Sequence, residues 1–310
     1  MRIYVGIFMS LMVGVAHANS DLSAAIENVR ITCGNISTEL TDMKKMAGIA
    51  TAVTGVGTVA GGVALGTGLA KTNADKEIAD LEQQLARLDA DRNLQTITIS
   101  ATNLQNELDQ YQASIQTLSK SELQEQKSEA EQKSKNLGNI RTGTLAVATA
   151  TNIAGAVMSG TNRVKGNLKQ QIDECLASVK TLSNVRMQAR ISKTVTDADL
   201  ARAENIVRAC DAWSTVEVSS INNRSTGATV SAGIGAGLGL AGTITSASAN
   251  SDGVRNGDDK QREKNLNTAA NVLAGGTTAA GLSATIFNAT QISAIKRAAT
   301  VADECEGALK

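Results

Sequence analysis

From Ala47 to Ala70 the chain reads AGIATAVTGVGTVAGGVALGTGLA, with no charge, no proline and no aromatic ring. Gly48, Gly55 and Gly62 recur at seven-residue intervals, and Gly57 with Gly61 and Gly62 with Gly66 are four apart. A helix through this stretch carries a groove without side chains, in which another helix lies at backbone contact. Each interior glycine costs a helix about 1 kcal/mol against alanine, so a water-exposed helix is not built this way. Close helix packing, in protein or in lipid, offsets the cost. Thr142 to Asn162, Thr226 to Asn250 and Asn267 to Ala294 are of the same kind, and Gly155, Gly233, Gly235, Gly237, Gly239 and Gly275 are assigned to the same packing role. The expected fold class is all-α.

Arg2 precedes an apolar run from Ile3 to Val15, and Ala16-His17-Ala18 has the small-residue spacing that a signal peptidase reads. Residues 1–18 are therefore expected to be an export signal, with the mature chain beginning near Asn19. Export places Cys33, Cys175, Cys210 and Cys305 in an oxidising compartment, where an even number of cysteines normally pairs. None has CxxC spacing, and the single histidine, His17, lies in the signal. Without an imidazole the mature chain lacks the usual general base and the usual zinc ligand. No metal, cofactor or catalytic residue is therefore expected, and the enzyme class loses most of its support.

The two halves of the chain repeat one pattern. Glu27-Asn28-Val29 leads to Cys33 as Glu204-Asn205-Ile206 leads to Cys210, and Asp173-Glu174-Cys175 matches Asp303-Glu304-Cys305. Between these marks each half runs from a glycine-rich stretch through a polar stretch to a second glycine-rich stretch. The duplication predicts what counting cannot: Cys33 pairs with Cys175, and Cys210 with Cys305. The expected architecture is two tandem disulfide-clamped helical hairpins with closely packed, membrane-competent Gly/Ala-rich arms. They span 19–181 and 204–310, with a connector helix over 182–203.

The polar tips differ. In the first half Ile78, Leu81, Leu85 and Leu88, then Leu104, Leu108, Tyr111, Ile115 and Leu118, keep three-four spacing on either side of a polar interruption from Asn93 to Ser100. That is a heptad seam, expected to close as an antiparallel coiled-coil extension of the two arms. In the second half Asp252, Asn256, Gly257 and Glu263 fall on positions 1, 5, 6 and 12 of an EF-hand-like loop, but position 3 is Val254. An ordinary turn between helices is the expected structure. Trp213, three residues past Cys210, is placed to cover a disulfide.

Gly55-x-Gly57-x-x-Ala60 fits a dinucleotide-binding fingerprint by letter, as do the glycines from Gly233 to Gly239, but that motif has meaning only between a strand and a helix. Small-residue helical periodicity continues on both sides here. Gly66-Thr67-Gly68 before Lys71-Thr72 lacks the adjacent lysine of a phosphate loop. Basic and acidic residues balance at 30 each, so no net field attracts nucleic acid. Aromatic platforms for bases or sugars are also missing, since only Tyr111, Trp213 and Phe287 follow the signal.

The small-residue stretches resemble glycine-zipper membrane segments in local pattern. The resemblance covers those stretches alone and implies close helix contact without any particular activity. The resulting expectation is an exported, non-enzymatic structural or interaction protein of a bacterial-type cell envelope, with a membrane and further copies of itself as partners and no small-molecule substrate. The alternative is a secreted α-helical pore former or toxin.

Overall fold

A computed structural model describes residues 21–98, 103–193, 195–255 and 260–310, with the backbone alone for 91–98, 103–118 and 252. The expected signal, Asn256, Gly257 and the side chains of Leu104, Leu108, Tyr111, Ile115 and Leu118 lie outside the described residues. Every long element is a helix: α1 over 21–33, α2 (Ile36–Thr98), α3 (Asn103–Thr161), α4 (Gly166–Ser192) and α5 (Asp197–Asp211). A 3-10 turn (Ala212–Thr215) then leads to α6 (Val218–Ala249), the four-residue α7 (Asp252–Arg255) and α8 (Lys260–Leu309). No strand occurs among the described residues. The chain contains no proline, so nothing in its covalent structure interrupts helices of this length. The polar stretch expected to interrupt α2 from Asn93 is helical as far as Thr98.

Threonine is a poor helix former because its hydroxyl competes for backbone groups. Here the hydroxyls bond back to their own helices: Thr67 Oγ1 to Val63 O at 2.9 Å, Thr149 to Leu145 O at 2.8 Å, Thr151 to Val147 O at 2.9 Å and Thr277 to Leu273 O at 2.8 Å. Each bond hides a polar group inside the helix that carries it.

The expected connector helix over 182–203 is corrected. It belongs to two helices, because α4 stops at Ser192, Lys193 takes the left-handed conformation at φ 53°, and α5 starts at Asp197. Thr196 caps α5, its Oγ1 accepting from the Asp199 backbone N–H at 3.2 Å while its hydroxyl donates to Asp199 Oδ2 at 2.6 Å. Both bonds run through the Thr196 hydroxyl, so this is a side-chain N-cap buttressed by Asp199 rather than a capping box, whose second bond would come from the Thr196 backbone N–H. At the other joint, between α1 and α2, a Cβ on Gly34 would stand 2.6 Å from the Arg30 carbonyl oxygen, so only glycine fits.

The chain forms two compact units, and they do not follow the two sequence halves. Unit 1 takes the described residues up to Thr54 with Ala154–Ala232 and Ser283–Lys310; unit 2 takes Gly55–Ile153 and Gly233–Leu282. The expected domains 19–181 and 204–310 thus each contribute to both units.

Unit 1 has a conventional core of Leu22, Val29, Ile36, Leu40, Leu168, Leu182, Ile206 and Ile295, all fully buried. Both disulfides lie in it, Cys33–Cys175 and Cys210–Cys305, with the connectivity the duplication predicts. Trp213 is 1% exposed and belongs to the same core. Where the glycine-rich arms enter this unit the core turns polar: Ser159 Oγ donates to Asn288 Oδ1 at 2.9 Å, and Gln291 Nε2 to the Asn162 carbonyl at 2.7 Å.

Candidate functional site: the small-residue interior of the second unit

Four helices supply the interior of unit 2, each with a three-four alternation of buried positions. On α2 these are Gly57, Gly61, Ala64, Gly68 and Lys71; on α6, Gly235, Gly239, Gly242, Ser246 and Ala249. On α8 they are Asn267, Ala270, Ala274, Thr277 and Gly281, and on α3 Arg141, Leu145, Ala148 and Asn152. A mean step of 3.5 residues is the seam of a supercoiled bundle. Its contents, however, are glycine, alanine and polar residues where a soluble coiled coil carries leucine and isoleucine.

One layer shows how such a seam packs. Asn152 of α3 is fully buried, and the other three helices each present a glycine to its amide. A Cβ on Gly57 would stand 3.1 Å from Asn152 Oδ1, one on Gly235 2.8 Å from Nδ2, and one on Gly281 3.5 Å from Oδ1. A single amide therefore occupies the space that three missing side chains leave. Neither Oδ1 nor Nδ2 of Asn152 has a hydrogen-bond partner among the described residues. An orphaned buried polar group costs about 1–3 kcal/mol, and here it sits in the middle of a tightly packed layer.

The α2–α8 contact reaches the backbone itself, since a Cβ on Gly61 would lie 3.3 Å from both N and Cα of Thr278. On α6, a Cβ on Gly239 would lie 3.4 Å from Cα of Thr149, and one on Gly242 3.2 Å from Leu273 Cβ. Ala64, Leu145 and Ala274 form a small apolar cluster beside these contacts.

A buried polar network ends the series. Lys71, with its side chain fully buried, donates to Asp75 Oδ2 at 2.8 Å and lies 3.4 Å from Glu263 Oε1. Asp75 also accepts from Ser134 Oγ at 2.5 Å and from Asn267 Nδ2 at 3.3 Å. Arg141 is likewise buried and donates to Ser246 Oγ at 2.9 Å, Asn267 Oδ1 at 2.8 Å and Asn271 Oδ1 at 3.2 Å. Two cations and two carboxylates balance, so the network is neutral and satisfied. Glu263, position 12 of the loop-like pattern, is thus turned to Lys71. Farther along α2 and α3, Lys127 lies 3.0 Å from Glu82 Oε1 and Lys120 2.5 Å from Asp89 Oδ1, between the arms expected to form the coiled-coil extension.

Over its small-residue stretches the outer surface of unit 2 carries large apolar side chains. Val59 is 68% exposed and Val272 70%, and Val56, Leu69, Ile234 and Ile244 are also exposed. The usual order of a helical bundle, large apolar side chains inside and polar ones outside, is reversed over these stretches.

Among the glycines singled out in the sequence, Gly57, Gly61, Gly235 and Gly239 in unit 2 face other helices, and Gly155 in unit 1 meets the Thr54 methyl. Around Gly48, Gly55, Gly62, Gly66, Gly233, Gly237 and Gly275 nothing lies within 4 Å of an added Cβ. The seven-residue series Gly48, Gly55 and Gly62 therefore marks the outer face of α2, one residue out of step with the inner one. Gly68, Gly242, Gly276 and Gly281, which were not singled out, are packed. The available signal was the three-four series from Gly57 to Lys71, which ends on a charge that demands partners inside.

The remaining chemically distinctive residues are the cysteines of unit 1, where the sulfurs of Cys33, Cys210 and Cys305 lie within 4.8 Å of one another. Comparison of the chain with family models, curated proteins and solved structures finds no match.

Proposed function

We propose that this chain is a non-enzymatic, exported structural or interaction protein of a bacterial-type cell envelope, held in a membrane by the small-residue helices of unit 2. The observation that carries the reading is the reversed order of unit 2, with valine and isoleucine outside and glycine, asparagine and paired charges inside. Water penalises that arrangement, because exposed apolar area costs about 25 cal/mol per Å². Lipid favours it: each outward valine, isoleucine or leucine contributes about 0.3–0.6 kcal/mol to insertion, and threonine hydroxyls bonded to their own helices leave few unsatisfied groups.

Hydropathy supports the same reading. Windows within Asp21–Ala90 and Asp197–Ala249 reach mean hydropathy 1.6 and 1.3, and only 28% of each window is buried. The core helix of a soluble protein reaches such values mostly buried. Two disulfides fit an oxidising compartment, which for an exported bacterial chain is the periplasm or the cell surface. The outward glycines Gly62, Gly66, Gly233 and Gly237, flanked by valine and isoleucine, suit close approach of a second copy in the membrane.

The alternative reading, a secreted α-helical pore former, has one observation in its favour: Asn152 and its neighbours would line a wet path if the helices separated. Carbonate extraction of the producing cell's envelope distinguishes the two. Retention in the pellet is expected for the envelope protein. Recovery from the medium as a soluble monomer that releases dye from liposomes would replace this reading with the pore former.

A further inference from the structure

The polar layer of unit 1 lies between the C-terminal end of α3 and a turn of α8. Ser159 Oγ donates to Asn288 Oδ1 at 2.9 Å, and Gln291 Nε2 donates to the Asn162 carbonyl at 2.7 Å. The two segments are thus joined by two rungs, three residues apart on each. From α6, Ser225 Oγ donates to the Ser159 carbonyl at 2.5 Å and closes the layer on a third side. Ser159, Ser225, Asn288 and Gln291 are fully buried and Asn162 is 4% exposed.

The rungs do not use all the polar atoms they bring. Asn162 Nδ2, Asn288 Nδ2 and Gln291 Oε1 are buried and have no partner among the described residues. The Gln291 amide is held in its orientation, because turning it over would press Oε1 against the Asn162 carbonyl oxygen. Asn288 Oδ1 is held in the same way by the Ser159 hydroxyl. Two donors and one acceptor are therefore left over in one layer. Orphaned atoms are rare inside folded proteins, and an ordered water is the usual way of completing such a set.

We propose that an internal water molecule binds between the two rungs, accepting from Asn162 Nδ2 and Asn288 Nδ2 and donating to Gln291 Oε1. Three hydrogen bonds are the usual complement of a buried water. Three helical residues rise about 4.5 Å, which is too far for a direct hydrogen bond of about 2.9 Å. Two such bonds meeting at a tetrahedral water oxygen span about 4.7 Å. The mixture of groups selects the ligand. A cation would meet two N–H donors and an anion would meet the Gln291 oxygen, whereas water serves both. The site is built from unit 1 alone and does not depend on whether a membrane holds the chain. Nothing in the spacing of Ser159, Asn162, Asn288 and Gln291 announces it, because the rungs form only when α3 and α8 meet.

The test uses the full exported chain with both disulfides intact and nitrogen-15 in its asparagine side chains. Cross-peaks from water to the Asn162 and Asn288 amide protons are expected, with laboratory-frame and rotating-frame Overhauser effects of opposite sign, the signature of a water that tumbles with the protein. Oxygen-17 relaxation dispersion counts such waters without interference from exchanging hydroxyl protons, and its amplitude should fall by one water in Asn288→Leu. Absence of the cross-peaks at both amides in the unaltered chain overturns the proposal. An unchanged dispersion amplitude in a folded Asn288→Leu chain overturns it as well. Should that variant fail to fold, the cross-peaks of the unaltered chain decide alone.

Discussion

Unit 1 and unit 2 each draw on both halves of the chain and bury opposite kinds of side chain. Unit 1 hides leucine, isoleucine, tryptophan and both disulfides, the interior of a protein that folds in water. Unit 2 hides glycines, an unpartnered asparagine and a lysine–carboxylate network, and leaves valines and isoleucines outside. The difference shows that the fold is held by two forces. Unit 1 rests on apolar burial and covalent staples, which act in water. Unit 2 gains little from moving its small residues out of water and brings helix backbones close together instead; in the membrane setting proposed above, that close contact is what would hold the helices.

The comparison can be broken most strongly at the disulfides. Reducing both should cost unit 1 about 4 kcal/mol or more per bond in the chain-entropy model, read as early loss of amide protection there while unit 2, in a bilayer mimetic, stays protected. Simultaneous loss in both units would show that unit 2 has no stability of its own.

Next in size is a pair of neighbours on opposite faces of α2. Gly61→Leu drives a side chain into the Thr278 backbone and should cost about 3 kcal/mol. Gly62→Leu points into open space and should change stability by less than about 1 kcal/mol, with the better helix propensity of leucine in its favour. Denaturation in detergent measures both, and equal costs would refute the assignment of faces. Lys71→Met leaves Asp75 and Glu263, with side chains 29% and 16% exposed, without their cation. A loss of about 2 kcal/mol is expected, less than for a fully buried pair.

Asn152→Leu should act in the opposite direction. It removes an orphaned amide and keeps its branched shape, although two methyl groups are larger than the oxygen and nitrogen they replace, and should stabilise unit 2 by about 1 kcal/mol; destabilisation would mean that the amide has a partner such as bound water or that the methyls overpack the layer. The smallest effect concerns pH. Glu82, through its hydrogen bond first and its charge second, raises the Lys127 pKa above 10.5, against the desolvation that lowers it. A raised folded-state pKa gives stability that is complete below the unfolded value and is lost as pH climbs through the folded one. A decrease of under about 1 kcal/mol is therefore expected above roughly pH 10.5, and it should be absent in Lys127→Met.

How much of this was legible in the sequence follows from what each signal depends on. The all-α class was visible in the spacing of glycines, and the disulfide connectivity in the two Asp-Glu-Cys repeats, because both are local or repeated patterns. The inward face of α2 was not, because Gly61 and Gly62 are adjacent and alike. Only Lys71, which needs Asp75 and Glu263 as partners, fixes the phase. The break at Lys193 was readable in Thr196, an N-cap residue type placed just before Asp197 and Asp199 in the first turn of α5. Gathering the four cysteines at one level is a tertiary event that no spacing encodes.

Nitroxide accessibility in lipid vesicles tests the reversed order of unit 2 most directly, with spin labels placed one at a time by Val59→Cys and Ala64→Cys. The account requires the label at 59 to collide with oxygen dissolved in the bilayer and to be protected from a water-soluble nickel relaxant, and the label at 64 to be shielded from both. A label at 59 that relaxes with the aqueous reagent while vesicles are present, or equal accessibility at the two positions, would contradict it.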